Sequence, residues 1–599
     1  MATIAGLLRP VNPQPDDPNP AAARCYGLGM PSILPRPTDH EAAARIADEL
    51  RIHPVTAQIL ASRGLRDASA ARAFLQPSPA QLHDPALFRD MDAATELVEA
   101  AIRAGDGIAI YGDYDVDGVT GTAVLMRALN CLGARTRAFI PHRVDDGYGL
   151  NPEALLKLGE SDCGLVVTVD NGTTRADAIA EAQARGQRVV VTDHHEPTAE
   201  IPPCPVINPK RTDTSYPFDG LAGCGVALKL ALGLARRMGK LDSAEFRALL
   251  PDLLALVAVG TVADVVPLVD ENRPLVSLGL RALGVTQQPG MRALLDVSRC
   301  RGAHVRPADV AFRIGPRINA AGRLGSAHLA LDLLMCDDPE EAARLARLLD
   351  EGNRERQLVE RAQAEEAYAM AEESLLDTQI PALVLSDANW HAGVIGIVAA
   401  RVAETYHKPA ALITIEGENA RGSARSYGGV RLHEALNACS HLLLTHGGHA
   451  YAAGFTLRAD AIDAFRTAFQ AAVTQQGNGE PGPREVDAEL PLEALSLPLA
   501  REIELLQPYG HGNDEPIFCA HGLQLAGKPR RMGQGEKHLA FHAATERTSV
   551  RAIAFGQADK EPLLRDRFDL AFVLRTGNGA EPYEIHVREI IPHESSAAR

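Results

Sequence analysis

Aromatic side chains are scarce in this chain of 599 residues: they make up 4%, and Trp390 is the single tryptophan. The nine cysteines are odd in number, scattered, and form no C-x-x-C pair. That pattern excludes a disulfide framework or a thiolate-rich zinc knuckle, and it fits a reducing cytoplasm in which cysteines serve as small buried hydrophobes. No stretch reads as a charge-free transmembrane helix, and the first thirty residues lack the basic start and apolar run of a signal peptide. No membrane partner is therefore expected. Positive charge is in deficit as well: 60 Lys and Arg stand against 77 Asp and Glu, for a net charge of -17. This argues against a protein coated in positive charge for nucleic acid, although a total does not say where charges sit. Thirteen acids and five arginines fall between residues 337 and 377, a local net of -8 that accounts for nearly half of the deficit.

What is present is ordinary globular material, 46% hydrophobic and 23% charged, long enough for three or four domains. Residues 1–40 are rich in Pro and Ala without a sustained period. From Gly107 onward, apolar runs (Ile108 to Tyr111, Leu165 to Val169, Val189 to Thr192) alternate with helical stretches. Continuous apolar strands separated by helices predict a parallel sheet covered on both faces. A Glu- and Arg-rich stretch from 339 to about 376 predicts one long helix, and residues 476–484 (Q-G-N-G-E-P-G-P-R) a linker. The expected organisation is α/β: a poorly ordered arm over 1–50, a parallel-sheet catalytic domain over 51–335, a connecting helix over 336–378, a second α/β domain over 379–476 and a small β domain over 485–599.

The sharpest motif is Gly112-Asp113-Tyr114-Asp115-Val116-Asp117-Gly118, directly after the first strand of the sheet. Carboxylates at alternate positions crowd together only if a cation sits among them; alone, the motif could equally be a polar turn. The next strands end in Asp170-Asn171-Gly172 and in Asp193-His194-His195, and Asp264 follows another apolar run. Parallel strands bring their carboxyl ends to one edge, so Asp115, Asp117, Asp170, His194 and Asp264 can converge there. Four carboxylates and an imidazole suit a pair of Mn²⁺ or Mg²⁺ ions.

These residues resemble the four motifs of the DHH phosphoesterase superfamily: D-Y-D-V-D-G, V-D-N-G, D-H-H and G-T-V-A-D. The family's usual first histidine falls here on Tyr111, a departure typical of its RecJ branch of single-strand-specific DNA exonucleases. Residues 315–324 (G-P-R-I-N-A-A-G-R-L) and 390–399 resemble signatures of that branch. Arg421 to Ser426 and Gly447 to Gly454 look like the DHH-associated substrate domain, and residues 508–518 resemble the lead-in to an OB-fold, with Asp514 where proline is more usual. The resemblance covers residues 55 to 590. It implies a parallel-sheet DHH domain, a long connecting helix, an α/β DHH-associated domain and a C-terminal β-barrel OB-fold.

The activity it implies is 5′ to 3′ hydrolysis of single-stranded DNA to 5′-mononucleotides, in recombination and repair, through two divalent ions. Asp170 would bridge the ions, Asp115 would hold one, and Asp117, His194 and Asp264 the other. His195 would donate to a phosphate oxygen, and Asp113 would orient a ligand or act as a turn cap. Arg317, Asn319 and Arg323 would contact substrate, with ordinary salt bridges the alternative for the arginines. Ser423 and Arg425 would hold the terminal 5′-phosphate, and Gly448 and His449 the nucleotide at the scissile end. Trp390 fits a core better than a base stack. Six basic residues and two Glu between 528 and 551, among them Lys528, Arg530, Arg531 and Lys537, with Phe541 and His538, suggest a single-strand track or else a solvated face. A single-strand-binding protein and a helicase are family-implied partners of an expected monomer. The competing readings are a DHH phosphodiesterase for oligoribonucleotides or cyclic dinucleotides, which needs no basic track, and a non-catalytic binding protein, which needs no intact acids.

Overall fold

Ile108 and Ile110 alternate with Ala109 and Tyr111, and none of the four can face water without cost, so their strand must be covered on both sides. In the computed structural model, Gly107–Tyr111 lies inside a five-stranded, all-parallel sheet. The strand order is Arg135–Phe139, Gly107–Tyr111, Cys163–Val169, Arg188–Thr192, Val206–Ile207. One face, with Ile108, Ile110, Val167 and Val190, packs on the helices Met91–Ala104, Val116–Cys131 and Gly223–Arg237, with Ala244–Ala263 lying against the last two. The other, with Ala109, Tyr111, Val166 and Val189, packs on Leu155, Leu158, Ile179 and Ala182. The structure describes residues 33–141, 149–159, 163–302, 304–376, 380–477, 484–577 and 581–593. Residues 1–32 of the expected arm and most of the expected linker lie outside these.

The helix Ala244–Ala263 is long and apolar enough to cross a bilayer by length and composition. Its middle, from Ala255 to Val259, is instead buried in the catalytic core. Asp264 caps the carboxyl end of this helix, not of a strand.

The acid-rich stretch forms one helix of 36 residues, Pro339–Ser374, started by Asp338, whose side chain accepts from Glu341 N. The second α/β domain is a five-stranded mixed sheet ordered Leu443–Gly448, Ala452–Arg458, Asn419–Arg425, Ala410–Glu416, Leu383–Asp387. Trp390 is 3% exposed, between this sheet and the long helix, and its indole N–H donates to Glu366 at 3.0 Å. The barrel is closed by Phe518–Met532, whose first half pairs with Phe568–Thr576 and second half with His538–Ala544.

Residues 33–50 are not the poorly ordered arm expected from composition. Ile33–Pro35 pairs in parallel with Arg484–Val486, and His40–Leu50 is a helix capped by Asp39. The helices Pro54–Ser62 and Ala68–Leu75, expected in the catalytic domain, also pack elsewhere. Ile46, Ile59, Leu60 and Ala71 share one core with Phe518, Phe541 and Phe568 of the barrel. Each large apolar side chain buried there contributes about 1.5–3 kcal/mol, which explains why the docking persists. The 508–518 motif joins domains. Asn513 Nδ2 donates to Leu506 O and Pro508 O, Leu268 N donates to His511 O at 2.7 Å, and Arg273 donates to the carbonyls of Leu505, Leu506 and Gln507.

Candidate metal centre

The turn after Gly107–Tyr111 is tight because a Cβ on Gly118 would lie 2.5 Å from the Asp113 backbone. Asp115 caps the following helix, accepting from Gly118 N at 3.0 Å. Asp117, in the first turn of that helix, is buried and accepts from Gly223 N (2.6 Å) and Cys224 N (2.9 Å). Those two N–H groups open the helix Gly223–Arg237, so the positive helix end steadies the carboxylate. Asp170 follows its strand in the left-handed region, φ 64°. This conformation is costly for most residues and tolerated best by Asn and Asp. Gly223 must be glycine here, because a Cβ would lie 2.7 Å from that of Asp170.

The third strand end is organised by Asp193. Its Oδ1 accepts from His194 N (2.7 Å), His195 N (3.1 Å) and His195 Nδ1 (2.8 Å), and its Oδ2 from Thr173 N (2.9 Å). In the sequence Asp193 stands out only as part of a motif; its role lies in those four contacts. His194 Nε2 then lies 3.1 Å from Asp170 Oδ1, 3.6 Å from Asp264 Oδ2 and 3.8 Å from Asp117 Oδ2.

Three groups of potential ligands result: Asp113, Asp115 and Asp170; Asp117, His194 and Asp264; and Asp170, His194 and His195. Within each, the ligand atoms lie within 4.8 Å of one another. Asp170 and His194 each belong to two of these groups and so join them into one cluster. Asp113 is expected from sequence to stand behind the ligands; its carboxylate is close enough to be a ligand itself. Residues 115, 117, 170, 194, 195 and 264 all come together.

Burial is the main electrostatic fact. It raises Asp170 well above the usual carboxylate range, and the charges of Asp117, Asp115, Asp113 and Asp264 push the same way. Burial, with Asp117 and Asp115, lifts Asp264 to about 9. Desolvation lowers His194. Burial would also lower His195, but the hydrogen bond and charge of Asp193 outweigh it and raise the ring, so that it holds a proton more readily. Asp193 itself, despite burial, is held well below the usual range by His195, His194 and Thr173 N–H. Asp170 Oδ1 is buried with no regular hydrogen bond. A buried carboxylate oxygen left so, among like charges, fits hard divalent cations such as Mn²⁺ or Mg²⁺.

The expected substrate residues are arranged differently. Arg317 grips Asp350 of the long helix at 2.8 and 3.0 Å. Arg323 donates to Gly393 O at 2.7 Å, across to the second α/β domain. Arg425 donates to Ser423 Oγ at 3.0 Å, and both sit against Gly396 at the start of the helix Ile395–Tyr406. One loop, 390–396, thus links Arg323 with Ser423 and Arg425. Gly448 (φ 136°) shapes the exposed turn that carries His449. Asn319 lines a largely apolar groove with Val262, Val265, Phe312, Tyr509 and His511, between the catalytic domain and the barrel's lead-in.

On the barrel, Lys528, Arg530, Arg531 and Lys537 are all exposed, and Arg531 is paired with Glu561 at 2.7 Å. Phe541 is not on this surface; it is 2% exposed in the barrel core. The exposed aromatic is Phe555, flanked edge-on by His538 and His586. Alternation along the strand could have signalled Phe541 as inward. Phe312, at 79% exposed beside the groove, carries no signal in the sequence reading.

A family model for the DHH family, N-terminal domain, matches residues 107–261, one for the DHHA1 domain residues 379–475, and one for the RecJ OB domain residues 486–588. The single-stranded-DNA-specific exonuclease RecJ of Escherichia coli (strain K12) is 35% identical over 502 residues, covering 81% of this chain and 86% of that one. Its counterpart in Bacillus subtilis (strain 168) is 35% identical over 87% of this chain, and that of Thermus thermophilus is 40% identical over 78%. The chain spans about two thirds of the length of these last two, 65% and 66%. Two crystal structures of RecJ from Thermus thermophilus resemble this fold. The complex with Mn²⁺ has a TM-score of 0.78 at 35% identity, covering 94% of this chain and 79% of that one. The complex with Mg²⁺ has a TM-score of 0.71 at 32% identity, covering 94% and 78%.

Proposed function

From the premise that this chain belongs to the RecJ family, we propose that it is a single-strand-specific DNA exonuclease that hydrolyses phosphodiester bonds from the 5′ end and releases 5′-mononucleotides, in DNA recombination and repair. The observation that carries the reading is the buried cluster at the carboxyl edge of the parallel sheet, where Asp170 Oδ1 has no regular hydrogen bond. Asp113, Asp115, Asp117, Asp170, His194 and Asp264 would hold two divalent ions, Mn²⁺ or Mg²⁺. Bound there, the ions would supply Lewis-acid activation of water and charge neutralisation at the scissile phosphate.

The chain's own groups do the rest. Asp170, which belongs to two of the ligand groups, would help to hold both ions. Asp193 fixes the His195 ring by accepting from Nδ1–H and favours the doubly protonated ring, whose Nε2–H then points away from that carboxylate and can donate to a phosphate oxygen. Arg425 exchanges Ser423 for a terminal phosphate, with the start of the helix Ile395–Tyr406 beside it. The apolar groove with Phe312 and Val265 offers a dry surface to bases, and exposed Lys528, Arg530 and Lys537 offer the backbone a sequence-independent hold. A single-strand-binding protein and a helicase are the natural protein partners of such an activity.

Digestion of single strands labelled at the 5′ or the 3′ end, with Mn²⁺, Mg²⁺ or EDTA, tests this. The expected result is early release of 5′-labelled mononucleotide, silence in EDTA, and little action on blunt duplex. Mononucleotide released first from the 3′ end, or activity in EDTA, would overturn it.

A further inference from the structure

A second set of ligand-type side chains meets on the barrel, outside the carboxylate cluster. Strand Ala488–Glu489 runs parallel to Phe518–Met532, with Glu489 the direct partner of Cys519. Side chains two apart share a face of a strand, so His521 lies beside Cys519. On the other flank, the antiparallel register of Ala520 with Leu570 puts Asp569 opposite His521. Residues from three separate segments thereby share one face.

Cys519 Sγ lies 3.6 Å from His521 Nε2, and Glu489 Oε1 lies 4.0 Å from the same nitrogen. His521 Nδ1 is 2.8 Å from Asp569 Oδ2. Asp569 is itself held by Gly522 N at 2.8 Å and His593 Nδ1 at 2.7 Å. An Nδ1–H given to that carboxylate leaves the Nε2 lone pair aimed at Cys519 and Glu489. A carboxylate behind a histidine, with the other nitrogen facing a thiol and an acid, is the arrangement that orients metal ligands. Zinc bonds of about 2.0–2.3 Å at tetrahedral angles separate ligand atoms by roughly 3.3–3.8 Å. The sulfur–nitrogen distance already falls in that range. The Glu489 side chain, 66% exposed, can close the remaining gap.

We propose that Glu489, Cys519 and His521 bind one zinc-class cation, with water at the fourth position, and so pin the strand Ala488–Glu489 to the barrel. Thiolate and imidazole select this class over Mg²⁺ or Mn²⁺, which suit the oxygen-rich centre. On binding, the Cys519 S–H bond breaks, the proton passes to solvent, and the sulfur–metal bond takes its place. The sequence gives no hint of the site, because its ligands come from two strands about 30 residues apart and lack finger-like spacing.

The test is a Zn²⁺ titration of the full chain in excess Mg²⁺, comparing the native protein with Cys519→Ser, His521→Asn, Glu489→Gln and Asp569→Asn. The native chain should retain one more Zn²⁺ than Cys519→Ser. Asp569→Asn should weaken that site about 10-fold. Co²⁺ in place of Zn²⁺ should give a thiolate charge-transfer band that Cys519→Ser lacks. Exposed Glu489→Gln and His521→Asn supply the same comparison if Cys519→Ser fails to fold. Equal zinc in native and variant chains, with no difference in the cobalt spectrum, would mean that Cys519 and His521 only share a hydrogen bond, and the proposal would be wrong.

Discussion

The carboxyl edge of the parallel sheet and the arginine-bearing loops beyond it solve opposite problems. At the sheet edge, acids are buried against one another, and Asp170 and Asp264 resist ionisation because water has been removed and like charges are near. In the loops, each arginine expected to touch substrate already has a partner: Asp350 for Arg317, Gly393 O for Arg323, Ser423 for Arg425. The first region is electrostatically incomplete until a cation arrives. The second is complete and can only exchange partners. Losing a ligand should therefore be severe, whereas losing an arginine should be graded.

The contrast is tested most strongly at Asp170. Asp170→Ala should lower kcat by about a thousandfold or more, within reach of the EDTA background. Asp170→Asn should be equally inactive, yet it should raise the melting temperature of metal-free protein, because folding no longer has to keep neutral a carboxyl that ionises when unfolded. A metal-free melting temperature lowered by Asp170→Asn would contradict the claim that the edge is under electrostatic strain.

Next in size is Arg425→Ala. A charged hydrogen bond contributes about 1.5–3 kcal/mol, so kcat/KM on 5′-phosphorylated strands should fall roughly 10- to 100-fold. Strands with a 5′-hydroxyl should lose much less. Equal losses on both would remove Arg425 from the terminal-phosphate role.

A smaller effect follows from pH. Asp264 titrates near 9 when folded but near its ordinary value of 3.8 when unfolded. Between those values the folded state holds a proton that the unfolded state has released. Stability of metal-free protein should therefore fall as pH rises from about 4 toward 9. Divalent ions, which displace that proton, should stabilise more at pH 8.5 than at pH 6, as differential scanning calorimetry with and without Mg²⁺ would register. The smallest effect belongs to the barrel. Arg530→Ala should lower affinity for single strands a few-fold and reduce the salt slope by somewhat less than one. Arg531→Ala should change less, because Glu561 already occupies that guanidinium.

The carboxylate cluster was legible because parallel topology forces strand ends to one edge, and Asp115, Asp170 and His194 follow such ends. Asp264 was legible by motif but not by placement, since it ends a helix. The role of Asp193, though not its place in a motif, was hidden because a buried carboxylate with four contacts reads in sequence like any loop acid. Phe541, expected on the basic surface, lies inside and Phe555 outside, because the strand register of the barrel, not the basic composition around them, decides which ring faces out.

By itself, the sequence determined the alternation of strand and helix, the long acidic helix and, apart from the place of Asp113, which residues gather at the candidate metal centre. These rest on local periodicity and on topology rules with few alternatives. Tertiary structure alone decided that the helices over residues 40–75 complete the barrel core, that Arg317 serves the long helix, and that Glu489, Cys519 and His521 meet on one strand face. Each is a contact between segments far apart in the chain. The free energy that fixes such contacts comes from burial and register, neither of which leaves a period or a spacing in the sequence.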